Sequence, residues 1–311
     1  MTEFSPNYGS FEVKGVVVGT LNDRFYNESD KKDNPWKRVQ FGVKIDHNAF
    51  VYVEVLGIKA AKVKMVYHDP ISKKIDKNKY IYVSWEEIYK KRNDGYKIHM
   101  PVKVSLKSEN EDLEMTQYDL IDYLKQNLQE GDTVLISGSL QITEYQGKPQ
   151  EKFIIQAIYS SDPDNFDSQS YERQAYFNQE IVFVKMEYDE NVKRYNVRSN
   201  IIYKKNESVT FVPYCFKLND DYQQDLVEFL SDLAFGDVVR VHGHISFEVP
   251  LMLDNGGNTI IGGIPEKHLI ITGGSTRSLV KNRYSEVDFQ NILNQETLFK
   301  EFAQEEELLP F

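Results

Sequence analysis

One stretch of this sequence occurs twice, and the repeat narrows the folds open to the chain. Gly131-Asp-Thr-Val-Leu-Ile-Ser-Gly-Ser-Leu-Gln-Ile142 returns as Gly236-Asp-Val-Val-Arg-Val-His-Gly-His-Ile-Ser-Phe247. Each copy follows a short amphipathic segment, Leu120-Ile-Asp-Tyr-Leu124 in the first case and Leu226-Val-Glu-Phe-Leu230 in the second. The spacing predicts a helix, a Gly-Asp turn, and a strand whose apolar residues alternate with period two. Thr116-x-x-Asp119 reads as a capping box for the first helix, and Asp220 or Asp221 supplies a cap for the second. Gly138 and Gly243 fall in mid-strand, where glycine marks a bulge or the bend of a small barrel's corner.

Alternating β sequence lies on both sides of each copy. In the first half it covers Phe11 to Val18, Val39 to Asp46 and Ala49 to Val55 before the helix, and Lys152 to Tyr159 after the repeat strand. In the second half it covers Glu180 to Tyr188, Arg194 to Tyr203, Ser208 to Phe216 and, downstream, Lys267 to Thr272. Three strands, a helix and two strands is the order of the OB-fold, a five-stranded Greek-key barrel that binds oligonucleotides. The expected architecture is therefore mainly β: two tandem OB-fold barrels, with a large insertion in the first and a flexible acidic C-terminal tail. The expected boundaries are 1–160 for the first barrel, with the insertion at about 57–116, and 161–175 for a linker. The second barrel follows at 176–275 and the tail at 276–311. In the tail, Phe289, Ile292, Leu293, Leu298 and Phe302 are spaced to form a transient or partner-induced helix.

The net charge of −11 is unevenly placed. Residues 1–160 carry 23 Lys+Arg and 23 Asp+Glu, so the whole excess of acid falls in residues 161–311. Within the first half, residues 57–107 hold 13 basic and 5 acidic side chains, a local surplus of +8. A basic segment inside an acidic chain is a fit surface for a polyanion that the overall charge conceals. The lone Cys215 excludes an internal disulfide and any multi-cysteine metal site, and reads as a small apolar residue in a reducing compartment. No leader pattern and no membrane-length apolar run are present, which predicts a cytoplasmic protein with no membrane contact.

No enzymatic signature emerges. The six histidines form no HExxH, no phosphate-binding Gly-x-x-x-x-Gly-Lys-Ser/Thr occurs, and no carboxylate spacing marks a catalytic pair. His242 and His244 share a strand face, but read better as solvent-facing polar residues than as a metal pair. Gly256-Gly257 and Gly262-Gly263 read as hairpin turns. No catalytic residue, cofactor or metal is expected.

Single-stranded nucleic acid suits the rings and cations better, since such sites join a basic groove to aromatic side chains on which bases stack. The insertion interleaves Lys73, Lys74, Lys77, Lys79, Tyr80, Tyr82, Trp85, Lys90, Lys91 and Arg92, and its length far exceeds an ordinary connection. Two readings of Tyr80, Tyr82 and Trp85 stand side by side: stacking rings, or the packing of the insertion itself. Trp36, Lys37 and Arg38 open the second strand, where Trp36 either contacts DNA or caps the barrel end. Phe41 and Tyr52 are candidates for the binding face, and Arg194, Tyr195 and Arg198 are their counterparts in the second barrel. Because that half is acidic, weaker binding is expected there.

The chain ends Glu305-Glu306-Glu307-Leu308-Leu309-Pro310-Phe311, like charges followed by a short apolar tip. This end resembles the acidic tip, closing in Pro-Phe, of phage-type and bacterial single-stranded DNA-binding proteins. The resemblance implies sequence-independent coating of single strands in DNA replication, recombination and repair. It also implies recruitment of a polymerase, helicase, primase or recombinase through the tip, in a bacterial cytoplasm or from a phage-encoded gene. The match departs from the family in its weak acidity, its lack of a Gly/Gln-rich linker and its large insertion. The last of these leaves a monomer or a small homo-oligomer open. An adaptor whose barrels contact protein, with the tip as a clamp-binding-like peptide, is the alternative.

Overall fold

The structure is a computed structural model that describes residues 3–29, 35–69, 71–72, 74–106, 113–163, 165–206, 208–219, 224–249, 251–253, 259–261 and 265–294. The protein is mainly β. The chain runs β1 (Gly9–Val18), β2 (Tyr26–Ser29), β3 (Trp36–Asp46), β4 (Ala49–Ile58), β5 (Val63–His68) and β6 (Ile75–Val83). A single 3-10 turn (Trp85–Glu87) leads into α1 (Ile88–Asn93), β7 (Tyr96–Ile98), β8 (Val102–Ser105), β9 (Leu113–Met115), α2 (Gln117–Asn127), β10 (Thr133–Tyr145) and β11 (Lys148–Ser160). Next come β12 (Ala175–Asp189), β13 (Arg194–Lys205), β14 (Ser208–Asn219), α3 (Gln224–Ser231), β15 (Val238–Glu248), β16 (Leu251–Leu253), β17 (Thr259–Ile261) and β18 (Glu266–Val280). Residues 286–294 form a last helix.

Contacts divide the chain into two units. One holds Glu12–Ser139 and Phe153–Ala175; the other holds residues up to Phe11, Leu140–Lys152 and the residues from Tyr176 on.

In the first unit β3 pairs antiparallel with β1 and β4, β4 pairs parallel with β11, and β10 neighbours both β11 and β1. The strands thus close into a ring. Alternation sends Val39, Phe41, Val43 and Ile45 of β3, and Val51, Val53 and Val55 of β4, into its core, where Leu120, Ile121 and Leu124 of α2 cover them. The Thr116 hydroxyl oxygen accepts from the Asp119 amide at 3.1 Å, so the first helix starts at its cap. The cap expected at Asp220 or Asp221 lies outside the described residues.

The second unit repeats the arrangement. β12 pairs antiparallel with β13 and β15, β13 with β14, and β15 with β18, while β14 and β18 meet in parallel at Lys217 and Ile270. Ile181, Val197, Ile201, Phe216, Leu218, Val241 and Ile271 fill the core beneath Leu226 and Leu230 of α3.

The repeated sequence does the same work in both units. Gly131 and Gly236 take left-handed φ values of 89° and 86°. Their amides donate to Val17 O and Phe183 O, both at 2.9 Å. In return, the Val17 and Phe183 amides donate to Asp132 O and Asp237 O, both at 2.8 Å. The Asp132 and Asp237 carboxylates each accept from the amide three residues earlier, Gln129 and Ala234. A left-handed φ strains any side chain, so glycine fits this turn. In mid-strand, a Cβ on Gly138 would lie 1.9 Å from Ile154 O, and one on Gly243 would lie 1.8 Å from Ile270 O. The neighbouring strand's backbone occupies the space of a side chain at both positions.

The insertion folds as a small lobe. β5 pairs with β6 and β7, and Val63, Met65, Val83, Ile88 and Ile98 make a separate core against which Ile81, Trp85 and Tyr96 pack. Beyond it, β8 pairs in parallel with β11 and antiparallel with β9.

Two expected connectors are structured. In 161–175, the Tyr171 hydroxyl donates to Ile45 O at 2.6 Å and Arg173 Nε donates to Asp46 at 2.6 Å, holding the segment to the first unit. The tail expected from residue 276 differs as well: β18 continues to Val280, and Tyr284, Phe289 and Ile292 are buried. Phe289 packs edge-on to Phe211 and Tyr284, and Phe4 stacks on Tyr284 at 4.6 Å. The helix expected to be transient gains its buried face from these rings. Residues 295–311, and with them the partner-binding tip, lie outside the described residues.

Candidate nucleic-acid interface

Register determines which residues share the outer side of β3 and β4. The cross-strand pairs there are Trp36 with Ile58, Arg38 with Leu56, Gln40 with Glu54, Gly42 with Tyr52, and Lys44 with Phe50. Tyr52 is 72% exposed, and Leu56 and Ile58 are exposed on the same side. Across from Tyr52 stands Gly42, where a Cβ would lie 2.8 Å from a Val18 methyl and 3.6 Å from the tyrosine ring. The absence of a side chain there leaves the Tyr52 ring open above its own strand pair. Arg38 bonds Gln40 and lies 2.9 Å from Glu54. Lys44 lies 5.6 Å from the Phe166 ring. The face therefore presents a ring, aliphatic residues and cations in one strip.

Other expected contacts are turned elsewhere. Phe41 is 2% exposed and packs on Phe25 inside the ring of strands, so it offers no surface to a base. Lys37 reaches α2, with Nζ 2.6 Å from Asp122 and 4.3 Å above the Tyr118 ring. Burial disfavours its charge, but the Asp122 carboxylate more than offsets this and raises the lysine above its ordinary range. Tyr26, beside it, is pushed up to about 12 by burial and by its bond to Glu28.

On the insertion, Tyr80 and Tyr82 stand out from β6, and Lys77 and Lys79 are exposed. Trp85 instead anchors the lobe: its Nε1 donates to Ala60 O at 2.8 Å and its ring meets Tyr118 edge-on at 5.7 Å. Lys90 is exposed, Lys91 pairs with Asp94 at 3.1 Å, and Arg92 donates to Glu114 O. Lys74 is exposed, and Lys73 lies outside the described residues. Lys64, absent from the expected site residues, lies 4.5 Å from the Tyr80 ring, and Lys79, which was among them, lies 3.5 Å from the Tyr67 ring. Leu56 and Ile58 were also missed, although period two from Tyr52 places both on its side of β4.

In the second unit the corresponding side of β13 and β14 pairs Arg194 with Asn219, Asn196 with Lys217, and Arg198 with Cys215. Here cations meet acids. Arg194 reaches Glu248 at 2.5 Å, and Glu187 takes both Arg198 at 2.8 Å and Lys185 at 2.7 Å. Those bonds draw Glu187 below the usual carboxylate range. Tyr195 packs against Tyr188 at 4.8 Å. Cys215 is half-buried, its thiol 3.7 Å from Lys217 Nζ. Burial lowers His268, with Arg194 and Lys217 acting in the same direction.

Among the described residues, no group of three or more His, Cys, Asp or Glu is placed to hold a metal ion, and no helix is long and apolar enough to cross a membrane.

The class of protein defined by these features is a two-unit, mainly β protein with a ring of strands in each unit and an aromatic, cationic strip on the first. The sequence matches the YorF family over residues 109–307, well over half of the chain, and the protein belongs to that family. No curated protein sequence matches it. Two crystal structures of the single-stranded DNA binding protein from Thermus aquaticus are similar in outline. The wild type is 9% identical with a TM-score of 0.39, over 87% of this chain and 93% of that one. A deletion mutant is 11% identical with a TM-score of 0.38, over 86% and 93%. Likeness at this level adds nothing to the strand order described above.

Proposed function

We propose that the protein binds single-stranded DNA without sequence preference, and that its two rings are OB-fold barrels of which the first carries the main site. The strand order supports the fold reading: in each unit the third strand lies parallel to the fifth and antiparallel to the second, as a Greek-key barrel requires. The observation that carries the function is Tyr52, an open ring over Gly42 in a strip with Arg38, Lys44 and Leu56. A base stacks on such a ring whatever its identity, and neighbouring cations hold the backbone. On the second barrel's outer side Glu187 and Glu248 pair with Arg198 and Arg194, as Glu54 does with Arg38 on the first, but Tyr195 is packed on Tyr188 where Tyr52 stands open, which supports a lesser share of DNA contact there. In this reading the protein coats single strands during replication, recombination or repair in the cytoplasm. The segment Glu305 to Phe311 recruits partner proteins, because its glutamates are repelled by DNA phosphates while Leu308, Leu309 and Phe311 offer an apolar anchor. No catalytic step is assigned to it.

Titration with dT oligomers tests the proposal. Binding should quench tryptophan fluorescence, since Trp36 lies at the end of the strip, and log affinity should fall linearly with log salt at about −0.7 per phosphate contacted. Binding to duplex alone, or a flat salt response, would overturn it.

A further inference from the structure

The insertion carries two unlike faces, and only one is needed to hold the lobe together. Register places Val63 opposite Val83 and Met65 opposite Ile81 and Ile98, and these residues form the lobe's core. The other face pairs Lys64 with Tyr82 and Val66 with Tyr80. Tyr80 covers the buried Val66, yet its ring remains 49% exposed, and Tyr82 is 58% exposed opposite a lysine. The two rings meet at 5.9 Å and 87°, so their planes are perpendicular. Lys64 Nζ lies 4.5 Å from the Tyr80 ring and Lys97 is paired across from Val66 on the same face. Aromatic area on an exposed strand side gains nothing for the lobe's core, while both rings offer surface to a flat partner.

We propose that this face is a second stacking platform, separate from the strip on β3 and β4, which takes nucleotides of a single strand already held by the first barrel. The inference rests on the DNA-binding reading above. Charge complementarity selects the occupant: the platform sits in the only strongly basic segment of an acidic chain, residues 57–107 with a surplus of +8. The Lys64 ammonium beside the Tyr80 ring also matches the nucleotide, whose base seeks a π-face and whose phosphate seeks a cation. A folded lobe with its own core and an anchor at Trp85 gives the platform a fixed place at the base of α2, since Trp85 rests on Tyr118. The platform therefore lengthens the binding site beyond what one barrel spans, and its contribution depends on the length of the strand.

Length dependence is the test. Anisotropy with labelled dT oligomers of increasing length should show the same affinity for Tyr82→Leu and the unaltered protein on the shortest oligomers that bind. On longer ones the variant should fall behind by roughly tenfold, with the salt slope unchanged because no charge is lost. Tyr82→Phe should restore the affinity, since it keeps the ring. Tyr80→Leu, which still covers Val66, should behave like Tyr82→Leu, and circular dichroism checks that each lobe remains folded. If the unaltered protein binds dT and both leucine variants bind equally well at every length, the platform is overturned while the first-barrel reading stands. Loss on every length, short ones included, would overturn it too, by placing Tyr82 in the main site. If the unaltered protein fails to bind dT at all, the underlying reading fails first.

Discussion

The two rings share a backbone plan and differ on the side that faces away from their cores. On the first, a glycine leaves a tyrosine open and aliphatic residues extend the strip. On the second, the same strand pair carries Arg198 opposite Cys215 and Lys217 opposite Asn196, and its arginines are matched by Glu187 and Glu248. A duplicated scaffold therefore keeps what closes the ring, the Gly-Asp turn and the mid-strand glycine, and varies what points outward. Under the proposed function the outer residues set what is bound, while the repeated residues set whether the strands close into a ring to present them.

The largest effects should come from the shared part, and they should be alike. Gly138→Ala and Gly243→Ala each force a methyl within 2 Å of a strand carbonyl, so each should cost roughly 3 kcal/mol or more of stability. Chemical denaturation of the two variants checks this; a cost in one unit but not the other would break the equivalence. Next comes the outer side. Tyr52→Ala should lower affinity for dT by about 1–3 kcal/mol with little loss of stability, measured by titration alongside thermal melting. Its counterpart, Arg198→Ala, should change affinity by less than about 0.5 kcal/mol, because the guanidinium already spends its charge on Glu187 in an exposed pair. Equal losses from the two substitutions would place both barrels on the strand.

The smallest effect is in acid. Burial raises Asp46, but bonds from the His47 amide and Arg173 outweigh it and hold the carboxyl below its ordinary range. The Gly19 and Thr20 amides do the same for Glu130. A depressed folded value means that this stabilisation is complete above the unfolded value of about 4 and is lost as pH falls through the folded one. The first unit should therefore melt earlier below about pH 4, and Asp46→Asn should flatten that dependence in a series of thermal melts.

Much of this plan was legible in sequence because local chemistry dictates it. A left-handed turn needs Gly131 and Gly236, period two puts Tyr52 and Leu56 on one side, and Thr116 caps its helix. Phe41 was misplaced although it shares the apolar parity of Val39, Val43 and Ile45, which faces inward, while Gln40 and Lys44 of the other parity face out. Trp85 looked like a stacking ring because its partners, Ala60 O and Tyr118, are brought to it only by the fold. The packing of 284–294 escaped for the same reason, since Phe289 finds Phe211 on a distant strand and Tyr284 finds Phe4 across most of the chain's length.

The segment that carries Phe4 has a consequence for how the protein is made. Asn7 bonds Ile202 twice, amide to carbonyl at 2.7 Å and side-chain oxygen to amide at 3.0 Å, and its side-chain amide reaches Glu180 at 2.7 Å. The residues up to Phe11 thus belong to the unit otherwise built from Tyr176 onward, while the chain between them builds mostly the other unit. On a ribosome these early residues emerge long before their partners and must wait, unpaired, until β13 exists. Cutting the chain at residue 175 would leave one fragment with an orphaned apolar strand end and the other with Ile202, Tyr284 and Phe289 uncovered. Synthesis and completion are thus out of step, since these residues find their partners only once the strands beyond Tyr176 have been made.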